Sequence, residues 1–318
     1  MLHILTVGEL LIDLTQTHID EKGVRNFAAN PGGAPANVAV AAAKLGAKAG
    51  FIGKVGKDTF GADLRAVLER WGVDTAGLYS TDEALTTQAV VSVAPSGERS
   101  FAFYRSPGAD TLLTEEEVAQ AMGEAPAIVH FGSVSLTAEP ARSATLAAAR
   151  LGREKGALVS YDPNYRANLW PDLETALTWM KAPLPLTDIL KISDEELPLL
   201  TGTEDPVAGS EKLARENGIR LVLITLGSKG VFYRLGQHTG IVPGFKVKVA
   251  DTNGAGDTFH GALLSRLALR GKEPLEGLEP RELEELLRFA NKAAALTCSR
   301  SGAIPAMPTL AEVEAFRP

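Results

Sequence analysis

At 318 residues the chain is long enough for one large domain or two ordinary ones, and its 45% hydrophobic and 22% charged content is that of a soluble globular protein. The formal net charge of -7 is spread along the chain and argues against a nucleic-acid partner. One cysteine, Cys298, excludes an internal disulfide and fits a reducing cytosol.

The first residues, "MLHILTVGELLIDL", lack a basic leader and meet acids early, so they read as a buried strand and not as a signal peptide. No apolar run approaches the ~20 residues of a membrane helix. The expectation is a cytoplasmic protein with no membrane partner. In chain order, "HILTVG" (3–8), "KAGFIGKV" (48–55), "AIVHFGS" (127–133), "ALVSYDPN" (157–164), "DILKIS" (188–193) and "RLVLITLG" (220–227) are compact apolar strands. Helical periodicity falls between them, at 35–45, 59–71, 137–154, 206–217, 255–270 and 280–298. The helix at 137–154 is expected to start with Thr137 as its cap and Glu139 and Pro140 in its first turn. Alternation of this kind implies an α/β fold, a doubly wound, mostly parallel sheet with helices on both faces.

Residues 86–105, "TTQAVVSVAPSGERSFAFYR", break the rhythm and read as a hairpin around "PSGE". With "LLIDLTQT" (10–17) they would form a small β-layer. It is either an edge decoration or a lid over a ligand, the lid being favoured by Tyr104 and Arg105 at its end. The expected organisation is one α/β domain over 1–318 carrying this small lid.

The stretch "GFKVKVADTNGAGDTFHGALLSRLALR" (244–270) reads as strand, tight turn and helix. Gly254, Ala255 and Gly256 lie at the helix start, where N–H groups lack intrahelical partners and bare backbone approaches a phosphate closely. An acid there, Asp257, would repel a phosphate that is only bound. It makes sense if a phosphoryl group is transferred and Asp257 takes the proton of an attacking hydroxyl. The plain alternative is an acid decorating a helix start. The spacing is not G-x-G-x-x-G, and no G-x-x-x-x-G-K-[ST] occurs, so neither familiar nucleotide fingerprint applies.

A second stretch, "NPGGAPANVAVAAAKLG" (30–46), sets Gly32 and Gly33 before a helix with Asn37 near its first turn. Together with "DTNGAGDTFHGAL" it resembles the two signatures of the ribokinase-like, phosphofructokinase B-type carbohydrate kinases. The resemblance runs from "GELLIDL" (8–14) to "SRSGAIPAMP" (299–308). Within the family it is most similar to the bacterial fructokinase group, through "FIGKVGKDTFG", "GERSFAFYRSPGAD" and "DPNYRANLW".

The resemblance implies that Asp257 is the catalytic base and that Gly254, Ala255 and Gly256 form an anion hole. It implies that Asp13, at the end of the first strand, binds sugar hydroxyls with Gly32, Gly33 and Asn37, and that Arg105 and Arg166 touch substrate. It sets Asn164 near the nucleotide phosphates, Thr225, Gly227, Ser228 and Gly230 in a nucleotide loop, and Asn291 beside the adenine. Taken residue by residue, plainer readings stand. Asp13 would cap a strand end, Gly32 and Gly33 would be turn residues, and the arginines would be solvated. "TLGSKG" (225–230) would be a strand-to-strand turn, and Cys298 a small core residue. The five histidines form no metal-ligand spacing.

Where relatives carry Asn-x-x-Glu near the phosphates, this chain has Ser193 followed by Asp194, Glu195 and Glu196. Glu196 is thus expected to meet magnesium through water, with ATP as phosphoryl donor. A monovalent cation, potassium, would sit among Asp251, Asn253, Thr297, Arg300 and Gly302. The implied activity is ATP-dependent phosphorylation of a ketohexose primary hydroxyl, fructose to fructose 6-phosphate. The alternatives are a 2-keto-3-deoxygluconate kinase and a non-catalytic sugar or nucleotide sensor. The resemblance further implies a homodimer formed through the lid.

Overall fold

The structure is a computed structural model, and it describes residues 2–93 and 99–317. The chain enters through β1 (Ile4–Val7) and leaves at once for a second sheet through β2 (Leu11–Ile19) and β3 (Arg25–Gly32). It returns by α1 (Ala34–Lys44), β4 (Ala49–Gly56), α2 (Thr59–Arg70) and β5 (Asp74–Thr81). A second excursion, β6 (Gln88–Val93) and β7 (Arg99–Tyr104), precedes α3 (Glu115–Ala121). Strand and helix then alternate as β8 (Ile128–Gly132), α4 (Ala141–Glu154), β9 (Leu158–Asp162), α5 (Leu173–Lys181) and β10 (Ile189–Ser193). Next come α6 (Glu196–Thr201), α7 (Pro206–Asn217), β11 (Leu221–Thr225), β12 (Val231–Leu235) and β13 (His238–Val242). The chain finishes with α8 (Ala255–Ala268), α9 (Pro280–Cys298) and α10 (Leu310–Ala315).

The larger sheet runs β13-β12-β11-β10-β9-β8-β1-β4-β5, parallel except where β12 and β13 join antiparallel. Because period-2 alternation sends successive side chains to opposite faces, each strand feeds two cores. Ile4, Ile128, Leu158, Ile189 and Leu221 pack under α1, α8 and α9. Leu5, Val129, Val159, Leu190 and Val222 pack against the helices of the other face. Each such buried side chain contributes about 1.5–3 kcal/mol relative to exposure. The order reverses at β1, with β4 on one side and β8 on the other. A crevice opens at the carboxyl ends of the strands at such a switch point.

The smaller sheet has the order β3-β2-β6-β7. It contains the expected strands over 10–17 and 86–105 and adds β3, which sequence reading did not assign. Pro31 and Gly32 disguised β3, and its alternating exposure over "RNFAAN" is the usable signal. The expected "PSGE" turn (95–98) lies outside the described residues, although β6 and β7 pair antiparallel as a hairpin requires.

Two expectations are corrected. The helix expected from Thr137 begins at Ala141, because the residue before a proline is pushed away from helical geometry and Ala138 is extended. Thr137 instead closes a short turn onto the Val134 carbonyl, and Glu139 Oε2 accepts the Ser143 N–H at 3.1 Å near the true start. The strand expected over 244–250 is not one. Its alternating "KVKV" lies along a cavity without a ladder partner, held by Gly244 N–H to the Lys229 carbonyl at 3.2 Å and Ala250 N–H to the Cys298 carbonyl at 2.8 Å.

Candidate active site

Asp257 stands in the first turn of α8, which opens at Gly254 with φ of 72°, a left-handed conformation that favours glycine. A Cβ there would also come within 2.9 Å of the Ala303 side chain. The Ala255 N–H folds back to the Thr252 carbonyl at 3.3 Å, so Gly256 and Asp257 supply the outward-facing amides of the turn. Asn37 of α1, 220 positions away in the chain, donates Nδ2 to Asp257 Oδ2 at 2.8 Å. The other amide atom, Asn37 Oδ1, is buried with no hydrogen-bond partner among the described residues. A buried acceptor without a donor fits a ligand hydroxyl. Burial pushes the Asp257 carboxyl up, the Asn37 bond opposes it, and Asp162 pushes the same way as burial; the net shift is upward. A carboxylate so raised is a better proton acceptor than an exposed one.

Asp13 faces the same space from β2, the first strand of the small sheet, and not from the end of β1 as expected. Burial raises its carboxyl to about 6, opposed by a hydrogen bond from Asn253 and by Arg166, and reinforced by Asp257. A side chain on Gly32 would collide with the Asp13 carboxylate. Gly33, at φ of 107°, presses against the Glu9 carbonyl, where no Cβ fits. Arg166 is exposed, with Nη1 on the Tyr165 carbonyl at 3.1 Å, and its charge reaches both Asp13 and Asp257. Arg105 is differently engaged. Its Nη2 lies 2.7 Å from Asp110, its Nη1 donates to Thr137 Oγ1 at 2.6 Å, and Nη2 also meets the Val134 carbonyl at 3.1 Å.

Sequence reasoning missed a buried pair beneath the turn. Lys191 of β10 donates to Asp162 of β9 at 2.8 Å, and the side-chain exposures are 9% and 4%. The ammonium lies 3.2 Å from where a Cβ on Gly256 would be. Burial pulls its pKa down, but Asp162, Glu196 and Asp257 outweigh that and hold the charge in place. The one local signal was a lysine inside the otherwise apolar strand "ILKIS", which does not name a site until its partner is known. Below lies an uncharged layer. Ser160 Oγ bridges His260 Nε2 at 2.7 Å and His130 Nδ1 at 3.1 Å. Burial lowers both imidazoles, His130 to about 3, so neither adds positive charge to the floor.

Glu196 accepts the Tyr165 N–H at 2.7 Å and the Ser193 N–H at 2.8 Å, one on each oxygen. It therefore ties the loops after β9 and β10 together. Asn164, at φ of 47°, sits in the first of these loops with its N–H on Asp162 Oδ1 at 3.2 Å. Among the described residues no group of three or more His, Cys, Asp or Glu is poised to cage a metal. Asp251 accepts the N–H groups of Asn253 at 3.0 Å and Gly302 at 3.1 Å, which brings three of the five expected cation-site residues together. Thr297 hydrogen-bonds Thr258 of α8 at 3.0 Å, while Arg300 turns to Glu312 at 2.6 Å.

A cavity of about 530 Å³ adjoins the turn, within the ~300–1,000 Å³ of small-molecule sites. Thr225, Gly227, Ser228, Gly230 and Asn291, the residues of the expected nucleotide site, line it together, and its wall includes Ala255 and Gly256. "TLGSKG" is thus both the β11–β12 turn and part of this wall. Asn291 Nδ2 is held by the Val242 and Pro243 carbonyls at 3.1 and 3.0 Å. Phe245, Val247 and Val249 of the misread segment form an apolar wall that suits a planar base. Cys298, expected in the core, is half-buried on this wall, because the loop at 244–250 leaves the last turn of α9 open.

The pfkB family carbohydrate kinase model matches residues 1–310. Fructokinase-1 of Oryza sativa subsp. japonica is 44% identical over 315 residues, covering 98% of this chain and 96% of that one. The ATP-bound fructokinase structure from Xylella fastidiosa superposes with a TM-score of 0.91 at 36% identity, covering 99% and 98% of the two chains. A Vibrio cholerae O395 fructokinase holding fructose, ADP and calcium gives 0.89 at 34% identity, with 99% of each chain covered. With a buried carboxylate, a glycine turn and a cavity of about 530 Å³ side by side, the chain belongs to the pfkB family of carbohydrate kinases and is a phosphotransferase acting on a sugar hydroxyl.

Proposed function

We propose that this kinase transfers the γ-phosphoryl group of ATP to the 6-hydroxyl of fructose. The observation that carries the reading is the Asn37–Asp257 contact at the mouth of α8, next to a cavity that reaches Gly256. Fructose would lie against Asp13, Gly32, Gly33 and the free Oδ1 of Asn37, with Arg166 at its rim. Asp257 accepts the hydroxyl proton as the oxygen attacks phosphorus, and the bond to ADP breaks in line. The Gly256 and Asp257 amides and the Lys191 ammonium face the charge on the moving group. The nucleotide would occupy the cavity between "TLGSKG" and Asn291, its phosphates running toward Asn164 and the turn. Magnesium, when bound, would neutralise the triphosphate, with Glu196 reaching it through water. Potassium would take the site around Asp251 and support the turn from below.

A sugar acid such as 2-keto-3-deoxygluconate would call on guanidinium groups to hold its carboxylate. Arg105 is committed to Asp110, which leaves Arg166 alone for that task and favours the neutral sugar. An ATP-coupled assay across fructose, 2-keto-3-deoxygluconate and other hexoses tests the reading. Highest kcat/KM on fructose is expected. Preference for the keto-deoxy acid would replace the substrate, and binding without turnover would replace the kinase by a sensor.

A further inference from the structure

Four chain crossings join the small sheet to the larger body, and two buried groups, Glu9 with Ala34 and Asp110 with Thr87 and Arg105, touch all four between them. Glu9 lies between β1 and β2, Ala34 follows β3, Thr87 precedes β6, and Arg105 follows β7. Asp110, just past the last crossing, accepts from Thr87 Oγ1 and from Arg105 Nε at 2.8 Å. Glu9 Oε1 accepts the Ala34 N–H at 2.9 Å, which is the first N–H of α1. The Gly33 cap has no side chain to do this, so Glu9 acts as the cap from outside the helix. Glu9 is 2% exposed, and its Oε2 has no hydrogen-bond partner among the described residues.

The charges that Glu9 feels are those of Asp110, which opposes its ionisation, and of Arg105, which favours it and is itself paired with Asp110. The neighbouring cation on β4, Lys54, is paired with Glu117 of α3 at 2.7 Å. Asp13 on β2 is engaged by Asn253, and Asp58 before α2 by Thr86 and Gly61. Nothing in the phosphoryl-transfer step uses Glu9, yet α1 carries Asn37 and Asn37 holds Asp257.

We propose that Glu9 is a positioning residue for sugar binding: as a carboxylate it pins the amino end of α1 and the lid crossings together, and taking up a proton releases the pin. A neutral Glu9 is a weaker acceptor for Ala34 and gains an O–H that needs an acceptor of its own. Asp110 is the nearby acid, and drawing on it loosens Thr87 and Arg105 from the hinge. Burial raises the Glu9 carboxyl to about 7; its own amide opposes this, Asp110 adds to it, and Ala34 and Arg105 oppose it, so the change falls within the working range.

The proposal rests on the fructose reading, and its test separates the two. Fructose KM is measured from about pH 6 to about pH 8.5 in wild type and in Glu9→Gln, which keeps the Oε1 acceptor and cannot titrate. Wild-type KM should rise about tenfold more between pH 8 and pH 6 than that of the variant, whose KM is raised throughout and keeps only the limb that Asp13 gives both proteins, with a smaller change in kcat. The same acid limb in the variant overturns the proposal. Urea unfolding supplies a readout independent of turnover. A carboxyl raised from 4.5 to about 7 holds its proton more tightly folded than unfolded, so Glu9 favours folding at low pH and that contribution is lost as pH rises to 7. The stability of Glu9→Gln relative to wild type should therefore climb between about pH 4.5 and about pH 7 and level off above. Titration of His130 and His260 is common to both proteins and cancels. A gap that does not change with pH overturns the proposal, and absence of fructose turnover with a pH-dependent gap overturns only the substrate reading.

Discussion

In the proposed role, Asp257 has to keep a proton-accepting carboxylate in place while remaining close to an incoming phosphate. The structure meets both demands by hydrogen-bonding one oxygen to Asn37 and setting the Lys191 ammonium nearby. Asp257→Asn preserves shape and removes the base, so kcat should fall by at least ~10²-fold with little change in fructose KM. Steady-state kinetics with fructose and ATP measures this, and near-normal kcat would remove Asp257 from the proton-transfer role. Asp257, Gly254 and Asn37 were singled out in the sequence because two glycine-bearing helix starts together resemble the paired family signatures, whereas the glycine turn alone left a plain helix start equally open. Lys191, Asp162 and Glu9 were not. The meaning of a buried charge depends on its partner, and Lys191 met Asp162 only once β9 and β10 lay side by side. The same holds for His260, whose Ser160 partner lies 100 positions earlier in the chain.

The contact between Asn37 and Asp257 is set by how closely α1 and α8 cross. Gly261, one turn along α8 from Asp257, makes that approach: a Cβ there would lie 2.7 Å from both the Ala41 side chain and the Val38 carbonyl. The alanines of "APANVAVAAAK" keep the facing surface equally thin. Gly261→Val should push the helices apart, at a cost of about 1–3 kcal/mol from overpacking. It should also lower kcat more than an Asn37→Ala change does, because the base moves and not merely its partner. Urea midpoints and kcat together check this, and a variant with wild-type stability would place the slack elsewhere. Both helices were readable from their apolar spacing. Their crossing was not, since a glycine inside a helix signals either weakness or close packing and only the neighbour decides. The misread strand at 244–250 failed for a related reason. Alternation reports an extended chain with two unlike faces, and here one face meets a cavity instead of a sheet.

Across the whole molecule, the parallel sheet turns its switch point toward one crevice, and the small sheet stands over that crevice with two free edges, β3 and β7. The alternation of strands and helices made the body foreseeable. The small sheet was only half visible, because β3 carries a proline and, against the Asp13 carboxylate, a glycine, which blur the strand pattern. Unpaired edges invite pairing with another strand, and charge or proline usually blunts them. β3 carries Arg25 and Pro31, yet the β2–β3 end still exposes Ile19, Val24 and Phe27, at 51%, 55% and 40%. We propose that a second copy of the chain covers this surface, so that each small sheet is braced by its partner's. Light scattering should give twice the 33.6 kDa chain mass. Phe27→Asp, which puts a charge where an apolar contact is needed, should raise the dimer dissociation constant by ~10²-fold or more, for about 2–4 kcal/mol lost. Phe27 belongs to neither core, so far-UV circular dichroism and the urea midpoint of the monomer should stay near wild type. Fructose KM should rise in the same variant, because β3 ends at Gly32 on the sugar floor and an unbraced sheet holds that floor less firmly. A wild-type monomer with full activity would show that the small sheet needs no partner.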